Sequence, residues 1–333
     1  MRIIVYGAGG IGGVIGAQLF QGGMDTMLIA RGDHLQSIQN NGLFYRTPHQ
    51  DISLPISAVD HPSKIEFRDN DVVILTMKSQ HTEQALDDLR AAGGDQIPVF
   101  CCQNGVANER MAARRFENVH AQMVYLPATL LKPGTVVTHA AATIGVLDAS
   151  VYPTGNNKVV KEVTAALRDN GFSARPNPTV MRFKYGKLIM NLGNALSAIS
   201  PPGEETKVIR SQLRAEAETC FAAAGIDCAR PEEEKARRGN LMKSGSVAGQ
   251  DRVAGSSWQS LARSTGNIEA DFLNGEIVLL GRLHGIPTPA NLTLQRLANH
   301  LASSGGQPRS IPLAEIQRQI ADVEDLFMEF TPD

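Results

Sequence analysis

Short apolar runs alternate with amphipathic stretches along the first half of the chain. The apolar runs that we interpret as buried strands are residues 2–6, 25–30, 71–77 and 97–102. The stretches with helical periodicity are residues 10–21, about 80–90 and about 106–115. Strands that alternate with helices indicate right-handed crossovers and a parallel sheet. Two further pairs of runs predict a mixed or antiparallel edge (135–139 and 142–147) and a small hairpin (43–45 and 51–56).

Helical periodicity dominates from Thr179 onward. It predicts a long first helix over 179–200, and it is broken at 201–203, at Gly225 and in a Gly/Ser-rich stretch, 239–257. The sequence therefore predicts an α/β domain with a parallel sheet, residues 1–178, followed by an all-α domain, residues 179–333. At roughly 150 residues per domain, a chain of 333 residues agrees with two domains.

Composition and charge exclude several classes of protein. The 32 basic and 34 acidic residues nearly cancel, whereas a nucleic-acid binder needs clustered surplus Lys and Arg. The four cysteines form no CxxC pair, so we expect no metal, no disulfide scaffold and a cytoplasmic protein. The apolar run 3–20 contains six glycines, which argues against a signal peptide, and no other stretch approaches the roughly 18 apolar residues of a membrane span.

The strongest local motif follows the first predicted strand and opens the first predicted helix. It reads Gly7-Ala8-Gly9-Gly10-Ile11-Gly12. Gly7 permits the tight turn, Gly9 lets the main chain approach a pyrophosphate, and Gly12 permits close packing of helix on strand. A tight strand-to-helix turn alone also requires glycine. In this setting the motif favours a dinucleotide and a domain of Rossmann type.

The residue after the second strand bears on which dinucleotide binds. An acidic residue there holds the ribose hydroxyls of NAD, whereas arginine accommodates the 2′-phosphate of NADP. Here the strand is followed by Arg31, which favours NADP because a guanidinium can bind a phosphate bidentately. Asp33 lies close enough in sequence to leave NAD open, and an ordinary exposed arginine is the alternative interpretation.

Two polar residues follow later strands. Lys78 comes after the run that ends at Met77, and Asn104 comes after the run that ends at Cys102. Each has a plain structural explanation, as a lysine at a helix start and as an Asn-Gly turn. Parallel sheets bind ligands beyond the carboxyl ends of their strands, so together these residues outline a crevice across that edge.

The predicted helix 179–200 carries Lys187, Asn191 and Asn194 at i, i+4 and i+7, and hence on one face. A solvated face is the default explanation. One cation and two amides among apolar neighbours are also typical of a pocket that holds a small polar ligand. Glu269 opens a later helix, where an acid can simply stabilise the helix dipole.

Together these residues resemble the ketopantoate reductase (2-dehydropantoate 2-reductase) family, and the resemblance spans nearly the whole chain. The segments that carry it are Gly7–Gly12 with Arg31, Thr76–Lys78, Cys102–Gly105, Lys187–Asn191, Ser256–Ser257 and Glu269–Gly275. The resemblance implies an NADP-dependent oxidoreductase that reduces a 2-keto acid to a 2-hydroxy acid, with pantothenate biosynthesis as the pathway. It leaves a homodimer open, with the helical domain carrying substrate and dimer contacts.

The resemblance also implies the roles of individual residues. Lys187 matches the general acid that protonates the ketone oxygen, and Asn104 matches a position between nicotinamide and substrate. Asn191, Asn194 and Ser257 match substrate-binding positions, together with Lys187. Glu269 matches a carboxylate of the closed active site.

Three departures from the family pattern fall on the substrate side. Only two residues separate Asn191 from Asn194, and Ala195 stands where a proline is common. The usual aspartate is missing after the serine pair, in 258–261, and the Gly/Ser-rich stretch is unusual. A reductase of a different oxo acid and a non-catalytic NADP-binding or sensing protein of the same fold therefore stay open.

Overall fold

The computed structural model describes residues 1–250, 255–263 and 266–329. Its strands are β1 (Arg2–Tyr6), β2 (Thr26–Ile29), β3 (Leu43–Arg46), β4 (Asp51–Leu54), β5 (Ser57–Val59), β6 (Asp71–Leu75), β7 (Val99–Cys101), β8 (Val119–Gln122), β9 (Ala128–Lys132), β10 (Thr135–Thr138) and β11 (Ala149–Val151).

The α-helices of the first half are α1 (Gly10–Gln21), α2 (Gly32–Asn41), α3 (Thr82–Gly93), α4 (Asn108–Ala113) and α5 (Lys158–Asp169). Those that follow are α6 (Val180–Asn191), α7 (Gly193–Ile199), α8 (Glu205–Ala223), α9 (Pro231–Arg238), α10 (Ser256–Ala262), α11 (Asn274–His284), α12 (Pro289–Ser303) and α13 (Leu313–Glu329). Short 3₁₀ turns occur at Pro62–Lys64, Ser79–His81 and Glu269–Phe272.

The main sheet has seven strands in the order β11-β8-β7-β6-β1-β2-β5. All neighbouring strands in it are parallel except the edge strand β11, which runs antiparallel to β8. This sheet and the helices that follow confirm the predicted fold class, a Rossmann-type α/β domain followed by an all-α domain.

Both faces of the main sheet are covered, which explains why its strands are continuous apolar runs. Ile3 and Val5 of β1 point into the core that α1 and α5 share. Ile4 and Tyr6 point to the opposite face, where α3 supplies Leu86 among other residues. The period of two along β1 therefore divides its side chains between two cores.

A second sheet has four strands in the order β4-β3-β10-β9. The predicted hairpin is present as β3 and β4, which pair antiparallel. The predicted edge at 142–147 is wrong, because β10 joins this second sheet and Val146 makes only isolated bridges, to Tyr125 and Ser173. The main-sheet edge is instead β11, whose residues Ala149 and Ser150 are buried.

By its internal packing the chain divides into two units. The first, the sheet unit, comprises Met1–Phe183 and Arg230–Arg252, and the second, the helical unit, comprises Lys184–Ala229 and Val253–Asp333. Within the first unit, α9 packs on the sheet layers through hydrogen-bonded charges: Glu234 accepts from the Tyr125 hydroxyl, and Arg237 donates two bonds of 2.6 Å to the buried Asp148. The domain boundary after residue 178 stays a prediction from the sequence.

The long helix predicted over 179–200 is not continuous. It is divided at Leu192 into α6 and α7. In the described part of the chain, no helix combines the length and the apolar character that crossing a bilayer requires.

Candidate active site

The glycine turn between β1 and α1 is fixed by close approach of the main chain. Gly7 has φ +102°, a conformation that favours glycine, and a Cβ there would lie 2.7 Å from the main-chain nitrogen of Met77. A Cβ at Gly12 would lie 2.3 Å from Thr76 Oγ1 and 2.4 Å from the Gly7 carbonyl oxygen. Both glycines are therefore explained by packing within the protein.

Gly9 is different, because a Cβ there would meet no protein atom within 4 Å. It precedes α1, whose first turn comprises Gly10, Ile11 and Gly12 and contains no acidic residue and no side-chain cap. The positive end of the helix dipole is thus uncompensated at this point. Open space beside such a helix end fits a pyrophosphate group, and packing alone does not explain the glycine.

Two side chains hold the turn. The sequence assigned a role to neither, although Thr76 lies in a segment that carries the family resemblance. The Thr76 hydroxyl donates to the Gly7 carbonyl oxygen at 2.8 Å. His34 Nδ1 accepts the main-chain N–H of Gly134 at 2.8 Å, so Nε2 carries the ring proton and donates to the Ala8 carbonyl oxygen at 2.6 Å. Burial lowers the pKa of His34, which keeps this neutral tautomer at pH 7.

Arg31 follows β2 and immediately precedes α2. Its side chain is 60% exposed and lies 3.9 Å from the carboxylate of Asp88, a weak contact that leaves the guanidinium accessible. Burial, with the positive charges of Arg31 and Lys78, lowers the pKa of His81. Asp33 is exposed in the first turn of α2, where an acid stabilises the helix dipole.

A buried hydrogen-bond network joins the segments that carry Lys78 and Asn104. Gln103 donates to the Met77 carbonyl oxygen at 3.0 Å and to the Thr82 hydroxyl at 2.8 Å. Asn108 donates to the Asn104 carbonyl oxygen at 3.1 Å and to Ser79 Oγ at 3.2 Å. This network, also missed from sequence, holds the two strand ends in a fixed relation.

The order of strands brings these groups together. Arg31 follows β2, the glycine turn follows β1, Lys78 follows β6 and Asn104 follows β7, and these strands are neighbours in the sheet. The carboxyl ends of these strands therefore form one edge of the sheet. This edge carries two basic side chains and, at Gly9, main chain with open space beside it. Such an edge suits an anionic dinucleotide.

In the helical unit, α6 carries Lys187 and ends at Asn191, while Asn194 lies in the first turn of α7. All three side chains are half-buried. The Nδ2 atom of Asn191 is buried and has no hydrogen-bond partner among the described residues. An unsatisfied buried amide lowers the stability of a protein by about 1–3 kcal/mol. Such a group is typical of a site where a bound ligand supplies the missing hydrogen bond.

Ser257 and Glu269 lie in other elements of the same unit. Ser257 is buried in the first turn of α10, which packs against α7. Glu269 opens the 3₁₀ turn Glu269–Phe272 and is 9% exposed. That turn is attached to α12 through Asp271, which accepts from the side chains of Gln295 and Asn299.

The two groups of residues differ in what they can hold. The sheet edge fits a nicotinamide dinucleotide by its open glycine and its basic groups. The helices offer an ammonium and several amides, which suit a small carboxylic acid. Among the described residues, no three His, Cys, Asp or Glu side chains are grouped so as to hold a metal ion.

Comparison with solved structures gives the class of protein. The chain superposes on a PanE/ApbA family ketopantoate reductase from Ralstonia eutropha JMP134 with a TM-score of 0.77, 28% sequence identity and coverage of 92% of this chain and 99% of that one. It also shares its fold with D-mandelate dehydrogenase in complex with NADH and anilino(oxo)acetate, at a TM-score of 0.78, 22% identity and the same coverage.

Family models and curated relatives then give the family. The model of ketopantoate reductase PanE/ApbA matches residues 3–149, and the model of its C-terminal part matches residues 157–302. The chain therefore belongs to the ketopantoate reductase family and is an oxidoreductase of that family. It is 28% identical to a 2-dehydropantoate 2-reductase of Pyrococcus horikoshii over 312 residues, which are 92% of this chain and 99% of the relative. A 2-dehydropantoate 2-reductase of Halobacterium salinarum is 29% identical over 89% of this chain and 97% of its own.

Proposed function

We propose that this protein uses NADPH to reduce a 2-keto acid to a 2-hydroxy acid. The reaction that we favour is the conversion of 2-dehydropantoate (ketopantoate) to pantoate in pantothenate biosynthesis. The observation that carries the proposal is that the family match covers both the sheet and the helical parts, 3–149 and 157–302. Curated relatives matched over nearly their whole length are named 2-dehydropantoate 2-reductase.

The sheet edge supports the choice of cofactor. Gly9 leaves room for the pyrophosphate, and α1 presents its positive end there. Arg31 is accessible for a 2′-phosphate, which a guanidinium binds bidentately. Bound there, NADPH supplies the hydride of the reaction. NADH is the competing cofactor, because the related D-mandelate dehydrogenase structures contain it.

We assign the remaining chemistry to the helical unit and Asn104. The Lys187 ammonium donates a proton to the ketone oxygen and stabilises the negative charge that develops on it, and such a group contributes roughly 10²–10⁴ in rate. Asn191, Asn194 and Ser257 donate hydrogen bonds to the carboxylate and hydroxyl of the substrate. Glu269 and Asn104 orient the reacting groups. The four cysteines, all in the described part of the chain, form no disulfide, which suits the reducing cytoplasm where we place the reaction.

A different oxo acid is the second candidate, and specific observations favour it. D-mandelate dehydrogenase shares the fold and was solved with an aromatic oxo-acid analogue. In this chain Ala195 follows Asn194 and no acid occurs in 258–261, so the substrate side departs from the common family pattern.

A substrate panel with both cofactors tests the proposal. Purified protein is mixed with NADPH or NADH and with ketopantoate, an aryl 2-oxo acid, short 2-oxo acids and a 3-oxo acid, and absorbance at 340 nm is followed. We expect the highest kcat/KM with ketopantoate and NADPH. A higher value with another acid would select the second candidate. Tight NADPH binding with no turnover on any acid would favour a non-catalytic sensing protein.

A further inference from the structure

The interruption between α6 and α7 lies at a single residue, Leu192. Leu192 keeps helical dihedral angles (φ −57°, ψ −32°), and the chain contains no proline there. The N–H of Leu192 is shared between the carbonyl oxygens of Leu188 at 3.1 Å and Ile189 at 3.3 Å. Helix breaks without proline arise at glycine, at π-bulges, or where a side chain or water enters the main-chain ladder.

Glycine is present here as Gly193, and side chains from two other helices also bond the carbonyl groups that begin α7. Asn274, at the start of α11, donates from Nδ2 to the Leu192 carbonyl oxygen at 3.1 Å. Arg210, on α8, donates to the Gly193 carbonyl oxygen at 3.3 Å and to Ser197 Oγ at 2.6 Å. A Cβ at Gly193 would lie 2.0 Å from Arg210 Nη1, so only glycine lets the guanidinium approach this closely. Consecutive carbonyl groups at the break are thus held from outside the helix.

Asn274 is itself held by a buried chain of hydrogen bonds. Its Nδ2 also donates to Asn291 Oδ1 at 3.0 Å, and Asn291 Nδ2 donates to Glu216 Oε2 at 2.7 Å. The Glu216 carboxylate further accepts the main-chain N–H groups of Ala290 at 2.7 Å and Asn291 at 3.0 Å. It therefore occupies the positive end of α12, where an anion is stabilised. Asn274 and Asn291 are both fully buried.

The break matters because it separates Asn191 from Asn194, the two amides that we assign to the substrate. We propose that Glu216, Asn291 and Asn274 form a positioning chain that holds the break at Leu192, and so sets the directions in which Asn191 and Asn194 present their amides to the oxo acid. Arg210 supports the same break from α8. This inference rests on the proposed function, and none of these four residues needs to touch the substrate.

Asn274→Asp tests the chain, because it keeps the shape of the side chain but removes both N–H donors. We expect the KM for the oxo acid to rise about tenfold, the effect of one or two lost hydrogen bonds, while the Kd for NADPH changes less than about twofold. Hydrogen exchange of a peptide spanning 189–196 should be about tenfold faster than in the unmodified protein.

The matched control is Ile277→Ala, on the same helix and fully buried but outside the chain. It should lower Tm through a lost core contact without accelerating exchange over 189–196 or raising KM selectively. Arg210→Met is the second test variant, since its exposed position lets it fold if Asn274→Asp does not. It should change exchange and KM in the same direction by about two- to fivefold.

The outcomes separate this inference from the proposed function. Unchanged exchange over 189–196 in folded Asn274→Asp and Arg210→Met proteins would overturn the positioning chain, whatever the enzyme reduces. Faster exchange with an unchanged KM would overturn it as well. If the unmodified protein reduces no oxo acid, the proposed function fails, and with it the role in presenting substrate.

Discussion

The glycine turn of the sheet unit and the interrupted helix of the helical unit are built in contrasting ways. In the turn, the close contacts of Gly7 and Gly12 are with the turn itself, with β1, and with Thr76 and Met77, which directly follow the adjacent strand β6. At the interruption, Leu192 is held by Asn274, 82 positions away in sequence. The turn tolerates only glycine at positions 7 and 12, so it leaves a motif in the sequence. The support of Leu192 by a distant side chain leaves no local motif.

The largest expected effect tests the chemistry that we assign to the helical region. Lys187→Met should lower kcat by roughly 10²–10⁴, because the ketone oxygen loses its proton donor, while the Kd for NADPH stays nearly constant. Steady-state kinetics and fluorescence titration of NADPH measure the two quantities.

The control is Lys207→Met, which removes an exposed lysine of α8 that pairs only with Glu204 at 2.8 Å in the described part of the chain. It should leave kcat unchanged. If the Lys187→Met protein keeps the rate of the unmodified enzyme, Lys187 does not take part in the reaction. The helical region would then have no catalytic role that sets it apart from the glycine turn.

Arg31→Ala tests whether a side chain adds selectivity to the glycine turn. Loss of a charged hydrogen bond to the 2′-phosphate should weaken NADPH binding by about 1.5–3 kcal/mol, or roughly 10- to 150-fold, with little effect on NADH. Arg68→Ala removes a similarly exposed arginine that pairs with Asp25, and it should affect neither cofactor. Equal losses for NADPH and NADH would show that Arg31 does not recognise the phosphate.

Gly9→Ala and Gly12→Ala separate binding from packing within one turn. An added methyl at Gly12 overlaps Thr76 and Gly7, so the free energy of unfolding should fall by about 1–3 kcal/mol. At Gly9 the methyl meets no protein atom, so Tm should hold while NADPH binding weakens about tenfold. Urea denaturation and cofactor titration of both variants check this. Equal stability losses would mean that Gly9 is required by the fold alone.

The smallest expected effect concerns His34, a distant support of the glycine turn. Because burial lowers the folded-state pKa of His34, its stabilising contribution is complete above pH 6.5 and decreases as the pH falls below the unfolded-state value. His34→Gln, which cannot bridge Ala8 and Gly134 as the ring does, should cost about 1 kcal/mol at pH 8 and less at pH 5. Urea denaturation at both pH values measures the difference, and a pH-independent cost would contradict the assigned tautomer.

The sequence predicted well the strands and helices that have a clear local pattern, and it predicted poorly those whose pattern depends on distant contacts. The bounds of β1 and α1 match the prediction, because a two-residue period and glycine punctuation are local signals. β5, β8, β9, β11, α2 and α5 were not predicted. In β8, buried His120 stacks on Phe100 with ring centroids 4.3 Å apart, and Gln122 is buried as well. Polar residues that are buried hide the apolar pattern of a strand.

The same distinction applies to the candidate site. Motif spacing singled out Gly9, Arg31 and Lys187, whereas His34 and Asn274 act through partners that only the fold brings near. One signal was available, since Asn274 and Asn291 each stand beside apolar residues in a helical sequence. A polar amide in such a place needs a partner, but the sequence does not say which one.

The return of α9 to the sheet unit has a consequence for biosynthesis. Asp148 and Tyr125 are buried early in the chain, yet their partners Arg237 and Glu234 emerge from the ribosome about a hundred residues later. A nascent chain that ends near residue 183 therefore has a sheet with a buried carboxylate lacking its principal guanidinium, and losing such a partner costs about 3–5 kcal/mol. Co-translational completion of the sheet unit accordingly follows synthesis of the first helices of the other unit.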